Sequence, residues 1–290
     1  MEIYPFTFKA MTTPCQLQLA CANRSLAERL ARRIEEETRR LEKKFNFYQA
    51  HSWLNRKINQ RTGSVIQLDE ETTAVLREVR ALSQACQGLF DITIGTLKQA
   101  YRHTDTRERE LAIAAAQQAV GLHNWWLEGR ALHCPNPLTR FDLGGVIKEY
   151  AVDRAASLAR EHASASLINF GGDLRVNGRK PDGEPFRIGI RHPQDKQQNI
   201  AVVALEDQAL TTSANYERTL KVGDEERAHI IGSRLDGEIL SATVISDSAL
   251  KSGIFSTALM INPTLPLPAS LKVVLIDRQL RLHQNLVTRP

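Results

Sequence analysis

Cysteine is scarce in this chain and too scattered to build a framework. The four cysteines among 290 residues are Cys15, Cys21, Cys86 and Cys134, with no Cys-x-x-Cys pair and no Cys/His cluster. Zinc sites need paired ligands at short spacing, and disulfide-stapled domains are small and dense in cysteine. We therefore expect no zinc site, and a chain of this length has no need of a disulfide framework.

Long apolar runs are also missing. No stretch approaches the roughly 20 residues of a membrane-spanning helix, so we expect no integral membrane segment. The start, Met1–Lys9, lacks a basic segment followed by an apolar one, and no long apolar stretch precedes Cys15 as a lipid-anchor signal would require. As written, the sequence is that of a soluble, cytoplasmic chain, although a chain whose signal had been removed would look the same.

No segment of the sequence concentrates charge of one sign. Lys and Arg number 38 and Asp and Glu 33, which leaves a net charge of +5. The densest basic run, residues 32–44, is interleaved with glutamates, as on a solvated helix face. Nucleic-acid binding needs an uncompensated basic patch, so we expect none, whereas a small anionic ligand is compatible with this charge.

Composition and patterning indicate one α+β unit. A hydrophobic fraction of 42% and a charged fraction of 24% are typical of globular proteins and exclude disordered, collagen-like and coiled-coil chains. Strands and helices do not alternate strictly, which favours mixed sheets with packed helices and a helical insertion over a doubly wound sheet. The predicted unit is 1–290, with a possible smaller helical subdomain at about 60–140. Helices are predicted after Ser25 and near 69–88, 107–120, 146–162 and 248–260, and strands within 6–21 and at 167–170, 186–190, 200–205, 240–245 and 271–276.

Two Gly-Gly corners flank one predicted helix. Gly144-Gly145 opens the helix, whose N-terminus suits phosphate, and Lys148 one turn later could reach a pyrophosphate. The second corner lies within Asn169–Asp173. Each has a structural alternative: a tight corner with Lys148 in solvent for the first, and a hairpin for the second.

Three further segments fit either ligand binding or ordinary structure. Asp91 and Thr93 would share one face of an extended segment, and the alternative is an Asp-capped turn. His229 stands beside apolar residues, where a lone histidine is more often structural than catalytic. Gly253 and Thr257 share one face of a predicted helix, in which glycine costs roughly 1 kcal/mol relative to alanine; either something approaches the backbone there or the helix is broken.

In order along the chain, these motifs resemble those of the ApbE-like FAD:protein FMN transferases. The resemblance runs from about Met11 to Ile261 and implies an ApbE-like, T-fold-related unit. Each motif is weak evidence by itself, but their occurrence together in the family's order is specific to the family. The motifs are Met11–Thr13, Phe47-Tyr48, Ser52–Asn59, Phe90–Gly95, Asp142–Asp153, Asn169–Asp173, Thr212–Glu217 and His229–Ile231.

The resemblance implies a metal-dependent enzyme. Such an enzyme splits FAD, usually with Mg²⁺, attaches FMN through a phosphoester to a Thr or Ser of an acceptor flavoprotein, and releases AMP. By position, His229 is the implied proton acceptor, and Gly145, Gly253 and Thr257 mark the metal site. Many relatives are exported, which makes a periplasmic location the alternative. The implied FAD contacts are Met11, Tyr48, Phe90, Asp91, Thr93, Lys148 and Ile230.

Departures from the family pattern keep other functions open. The family normally carries a metal-binding Asp one turn before the position of Thr257, where this chain has Gly253; Asp173 or Asp247 could substitute. A non-catalytic FAD-binding relative, acting as flavin carrier or redox partner, is therefore the alternative. A third possibility is an interaction domain that has lost the ligand, against which the retained Lys148 and Gly-Gly corners argue. Other departures are Thr12, Ala214-Asn215 and Gly232-Ser233.

Overall fold

The chain divides into two compact units. The computed structural model describes residues 1–102, 104–195, 197–214, 219–222, 225–228 and 239–285. Unit 1 consists of residues 1–40 and 148–290, and unit 2 consists of residues 41–147. The helical region predicted at about 60–140 lies inside unit 2.

The helices begin where the sequence offers capping groups. Asp69 accepts a hydrogen bond from the Thr72 N–H at 2.9 Å, and Ser248 accepts one from the Lys251 N–H at 3.2 Å. Each side chain satisfies a backbone donor that the first helical turn leaves open. The helices of the described residues are α1 (Arg24–Phe45), α2 (Glu70–Ala85), α3 (Gly95–Ala100), α4 (Thr106–Gln118), α5 (Ile147–Arg160) and α6 (Ala249–Ile261).

Two burial patterns occur among the strands. In Thr13–Cys21, buried and exposed residues alternate over much of the strand, which places one face on the core, whereas Ile239–Ser246 is mostly buried on both faces. The strands are β1 (Glu2–Ala10), β2 (Thr13–Cys21), β3 (Val65–Gln67), β4 (Trp126–Glu128), β5 (Ala131–His133), β6 (Ala165–Phe170), β7 (Asp173–Asn177), β8 (Phe186–Arg191), β9 (Asn199–Leu205), β10 (Ala209–Ala214), β11 (Thr219–Val222), β12 (Glu225–Ala228), β13 (Ile239–Ser246), β14 (Lys272–Asp277) and β15 (Leu282–Gln284).

Unit 1 is built on an antiparallel sheet. Its strand order is β1-β2-β6-β7-β10-β13-β14-β15. Helix α6 packs on β7, β10 and β13, burying Ile254, Phe255 and Leu259 almost completely. In unit 2, β3, β5 and β4 form a small sheet beside the helices. The α+β prediction is confirmed.

Of the two conformations considered for Phe90–Gly95, the structure has the Asp-capped turn and not the extended segment. Residues 92 and 93 form a turn that leads directly into α3. The Asp91 carboxylate accepts hydrogen bonds from the Thr93 N–H at 2.8 Å and from the Thr93 hydroxyl at 2.7 Å. Such a local side-chain bond competes with strand pairing, and here it produces the Asp-capped turn that was the alternative.

All four cysteines are buried, and none of them forms a disulfide within the described residues. Desolvation raises the pKa of Cys21, Cys86 and Cys134. Across the described residues, every helix is too short or too polar to cross a membrane.

Candidate active site

A buried cluster of Lys148, Glu149 and Asp173 forms the most unusual electrostatic feature of unit 1. Lys148, in the first turn of α5, forms an ion pair with Asp173 at the start of β7, and its ammonium lies 4.0 Å from Glu149 Oε1. The three side chains are 11%, 8% and 5% exposed, respectively. Two carboxylates thus share one ammonium away from water, where an unbalanced charge is costly.

Glu149 is the unbalanced member of this Lys148 cluster. Burial, and then the charge of Asp173, raises the pKa of Glu149 to about 8, while Lys148 opposes the shift. Its Oε2 atom is buried and has no hydrogen-bond partner among the described residues. A buried carboxylate oxygen without a donor is rare in folded proteins and marks a place where a further positive or donating group fits.

Gly253 lies directly against Glu149. A Cβ built on Gly253 would stand 2.8 Å from Glu149 Cγ and 3.3 Å from Cδ, closer than carbon atoms approach without displacement. Helix α6 is continuous through this position. The glycine is therefore explained by the close approach of a side chain to the backbone, and not by a break in the helix.

Hydroxyl groups line the next turn of α6. Thr257 Oγ1 lies 3.2 Å from Ser213 Oγ, which is also 2.8 Å from Ser256 Oγ. Ser256 in turn donates to the Gly253 carbonyl at 3.0 Å. Thr257 is half-buried, so position 257 presents a neutral oxygen ligand on the helix face that carries Gly253.

Asp153 ties α5, α6 and β7 together. Its carboxylate accepts from Arg175 at 2.6 Å, from the Ser248 hydroxyl at 3.0 Å, and from the N–H groups of Ala249 and Leu250 at 2.9 and 3.0 Å. A carboxylate at a helix N-terminus satisfies open donors and favours the helix dipole. The last residue of the Asp142–Asp153 motif thus fixes the helix that carries Gly253 and Thr257.

In unit 2, the same motif opens with a satisfied carboxylate. Asp142 accepts from Lys98 at 2.6 Å and from the Gly144 N–H at 2.8 Å. A Cβ built on Gly145 would lie 3.4 Å from the Phe90 ring. The structure therefore brings two predicted site residues, Gly145 and Phe90, into contact.

Asp91 and Thr93 form a closed polar pair in unit 2. The fully buried Thr93 hydroxyl donates to Asp91 and accepts from the Gly121 N–H at 2.9 Å. Burial raises the pKa of Asp91, although the hydrogen bonds from Thr93 oppose the shift. Thr93 thus holds the Asp91 carboxylate in place, and Asp91 is the more accessible of the two.

Two predicted FAD contacts lie at exposed or turn positions. Tyr48, in unit 2, is 63% exposed, with its ring edge-on to Phe47 and 5.9 Å from the Arg102 guanidinium. Met11, in unit 1, lies in the β1–β2 turn with Thr12, and both have positive φ, 50° and 61°. An exposed ring such as that of Tyr48 is free to stack on a planar ligand.

Some predicted residues lie outside the described residues. These are the catalytic candidate His229, the FAD contact Ile230, and the motif positions 215–217 and 231–233. Their assignments stay predictions.

No sequence pattern pointed to Glu149 or Lys98. A Glu in the first turn of a helix has an ordinary explanation in the helix dipole, so Glu149 did not stand out from its neighbours. Lys98 lies on α3, a six-residue helix that the sequence patterns did not predict. The Asn169–Asp173 corner is a hairpin turn, with φ of 63° and 101° at its two glycines, yet it also delivers Asp173 to the Lys148 cluster.

Acidic and histidine clusters do not by themselves reveal a metal centre. Within the described ranges, no group of three or more His, Cys, Asp or Glu side chains is arranged to hold a metal ion. Mg²⁺ uses few protein ligands and keeps several waters. Two carboxylates and a threonine hydroxyl are nevertheless the hard oxygen donors that this ion takes.

Comparison with known proteins identifies relatives along most of the chain. A family model described as the ApbE family matches residues 11–272. An FAD:protein FMN transferase of Vibrio cholerae is 26% identical over 226 residues, which is 74% of this chain and 67% of the relative. One from Rhodobacter capsulatus is 29% identical over 69% of this chain and 40% of the relative. The matches therefore span between about two fifths and two thirds of these relatives' own lengths.

Solved structures share the fold. An ApbE protein from Thermotoga maritima superposes with a TM-score of 0.83 at 23% identity, over 98% of this chain and 97% of the other. The flavin transferase ApbE of Vibrio cholerae gives 0.81 at 21% identity, over 98% and 96%. At this identity the likeness establishes the architecture.

Proposed function

The chain belongs to the ApbE family, and on that premise we propose that it transfers FMN from FAD to a Ser or Thr hydroxyl of an acceptor flavoprotein. The acceptor oxygen attacks the phosphorus on the FMN side of the pyrophosphate, the bond from that phosphorus to the bridging oxygen breaks, and AMP leaves with the electron pair. The hydroxyl proton passes to a base, for which His229 is the candidate by position. The product is a phosphoester between FMN and the acceptor.

The observation that carries the proposal is the match of residues 11–272 to the family model, together with the buried ammonium of Lys148. Phosphoryl transfer depends on positioning and charge neutralisation more than on covalent help. A fixed ammonium with little water around it acts strongly on nearby negative charge. Asp173 holds this ammonium by an ion pair, so Lys148 is oriented before any ligand binds.

The residues of unit 2 supply flavin-binding groups by the same resemblance. Tyr48 offers an exposed aromatic ring, and Asp91 offers a carboxylate whose orientation Thr93 fixes. Planar rings stack on aromatic faces, and ring edges take hydrogen bonds. Phe90, packed against Gly145, supports this surface from within.

Mg²⁺ is the proposed metal. When bound, it neutralises charge on the pyrophosphate as a Lewis acid. The unpartnered Glu149 Oε2 and the Thr257 hydroxyl, both in unit 1, are oxygen donors that fit a hard cation. Lys148 and the hydroxyls of α6 remain the groups that orient and neutralise the substrate.

Incubation of the purified protein with FAD, Mg²⁺ and a Thr-bearing acceptor flavoprotein tests the proposal. We expect covalent flavin fluorescence on the denatured acceptor, and one AMP for each FMN attached. Lys148→Ala should lower the rate about tenfold or more, because a charge-assisted contact contributes roughly 1.5–3 kcal/mol.

Lys180→Ala is the matched control, since Lys180 pairs with Asp182 in a turn. Equal losses in the two variants would remove Lys148 from the site. If the protein binds FAD but releases no AMP and attaches no flavin, the result would instead support the alternative of a non-catalytic FAD-binding relative. The reason for that alternative is Gly253, which stands in place of the family's Asp.

A further inference from the structure

We propose that Glu149 is the carboxylate ligand of the divalent cation in this chain, reaching from α5 into the space that Gly253 leaves open on α6. The inference deepens the proposed function. It rests on FMN transfer only for what the bound cation does, and not for whether Glu149 binds the cation. It assigns to Glu149 the part that the family pattern gives to an Asp at position 253.

Steric fit is the first argument. Glu149 Cγ lies 2.8 Å from the place of a Cβ at Gly253, so any larger residue there would collide with the Glu149 side chain. One of the two positions can therefore carry a carboxylate at this point, but not both without displacement. The chain has the carboxylate on α5 and the glycine on α6.

Charge is the second argument. Glu149 and Asp173 together carry two negative charges when ionised, and Lys148 carries one positive charge. Glu149 Oε2 is buried and finds no hydrogen-bond donor among the described residues. A buried carboxylate is tolerated when it is paired or coordinates a metal, and a divalent cation meets both requirements at this oxygen.

The two carboxylates that the sequence offered as substitutes, Asp173 and Asp247, are less suited. Asp173 is already engaged by the Lys148 ammonium. Asp247 has a side chain that is 76% exposed and pairs with Lys251 at 3.1 Å. Glu149 is the one of the three that combines burial with an unused oxygen.

Ion binding to the protein without FAD provides the direct test. Mn²⁺ serves as a paramagnetic probe of the Mg²⁺ site, and the free ion is counted by electron paramagnetic resonance during titration, with Mg²⁺ as competitor. Even loss of an outer-shell partner lowers metal affinity roughly 10- to 100-fold, so Glu149→Gln should weaken Mn²⁺ binding at least about tenfold. Asp247→Asn, an exposed control two residues before α6, should leave it unchanged.

Moving the carboxylate across to α6 provides a gain-of-function test. Glu149→Ala should bind Mn²⁺ weakly, and the double variant Glu149→Ala/Gly253→Asp should recover most of the affinity, because the truncated side chain makes room at position 253. Gly253→Asp alone should not bind more tightly than wild type, since its side chain meets Glu149. Thermal unfolding with and without Mn²⁺ gives an independent readout for every variant.

The outcomes separate this inference from the proposed function. The inference is overturned if wild type binds no Mn²⁺, or if Glu149→Gln binds Mn²⁺ as tightly as wild type and the control Asp247→Asn do. Either result overturns it even if FMN transfer occurs. If the Mn²⁺ results follow the expected order while no acceptor is flavinylated, the ligand assignment stands and the proposed transfer fails.

Discussion

Each unit contains a buried Lys–Asp pair, and the two pairs differ in how completely they are satisfied. In unit 2, Asp142 meets Lys98 and the Gly144 N–H, so one carboxylate balances one ammonium. In unit 1, Lys148 forms an ion pair with Asp173, and the Glu149 carboxylate lies 4.0 Å from the same ammonium.

The contrast separates a structural ion pair from a site prepared for a ligand. A pair that balances internally needs nothing further and holds its segments in place. A cluster with an excess carboxylate is less stable than its alternatives and persists where function requires it. We therefore expect the loss of one aspartate to destabilise the unit 2 pair more than the unit 1 cluster.

Removing the aspartate of each pair should give the largest effect. Asp142→Asn removes the carboxylate that pairs with the buried Lys98 ammonium and should lower the free energy of unfolding by about 3–5 kcal/mol. Asp173→Asn should cost less than about 2 kcal/mol, because Glu149, 4.0 Å from the Lys148 ammonium, takes over as counter-ion.

Urea unfolding followed by circular dichroism measures both variants, with Asp247→Asn as the exposed reference. Equal losses for Asp142→Asn and Asp173→Asn would show that the extra carboxylate in unit 1 has no compensating role, and would break the comparison.

The pH dependence of Asp91 extends the comparison to a second carboxylate of unit 2. Burial raises its pKa, so the folded state holds this proton more tightly than the unfolded state. Its contribution to stability is therefore fully present below the ordinary carboxyl pKa of about 3.9 and is lost as the pH rises through the raised value. Relative to Asp91→Asn, wild type should be most stable near pH 3 and lose that advantage as the pH rises toward neutrality.

Asp69 in the same unit should show the opposite trend. Burial would raise its pKa, but hydrogen bonds from Lys44 and Thr72 outweigh burial and lower it. Its contribution is lost as the pH falls, so wild type should lose stability relative to Asp69→Asn under acid. Urea midpoints between pH 3 and pH 7 distinguish the two, and parallel curves would contradict the prediction.

A smaller effect is expected at the hairpin turns of unit 1. Thr12 has φ 61° in the β1–β2 turn, and Gly171 has φ 63° in the β6–β7 turn. A residue with a Cβ is disfavoured in this conformation by roughly 1–2 kcal/mol. Thr12→Gly should therefore raise the free energy of unfolding by about 1 kcal/mol.

Thr7→Gly, at an exposed position of β1, is the matched control and should be destabilising by roughly 0.5–1 kcal/mol. Thermal unfolding compares the two. A loss of stability in Thr12→Gly would mean that the turn is held in its conformation by contacts of the threonine side chain.

Most of the fold could be predicted from local sequence patterns. Helix α6 and strand β13 lie within a residue or two of their predicted bounds, since capping groups and apolar periodicity are encoded nearby in sequence. Periodicity left two conformations open for the segment at Asp91, because a side-chain hydrogen bond decides between them.

The site was harder to predict because its key contact joins distant segments. Gly253 indicated either a close approach to the backbone or a broken helix, and no spacing rule connects it to Glu149 on α5. A first-turn glutamate is common at exposed positions, and only the fold reveals that this one is buried beside a second carboxylate. Lys148 was found from its place after Gly144-Gly145, whereas its ion pair with Asp173 required the sheet.

Because its natural thiols are buried, the protein is suited to site-specific labelling through an introduced cysteine. The thiolate is the reactive form of cysteine, and all four cysteines are buried. Alkylating reagents should therefore modify the folded protein slowly, while a cysteine introduced at exposed Tyr48 by Tyr48→Cys, or at Thr7, reacts at once. A fluorophore can thus be attached at one chosen place without first replacing any of the four natural cysteines.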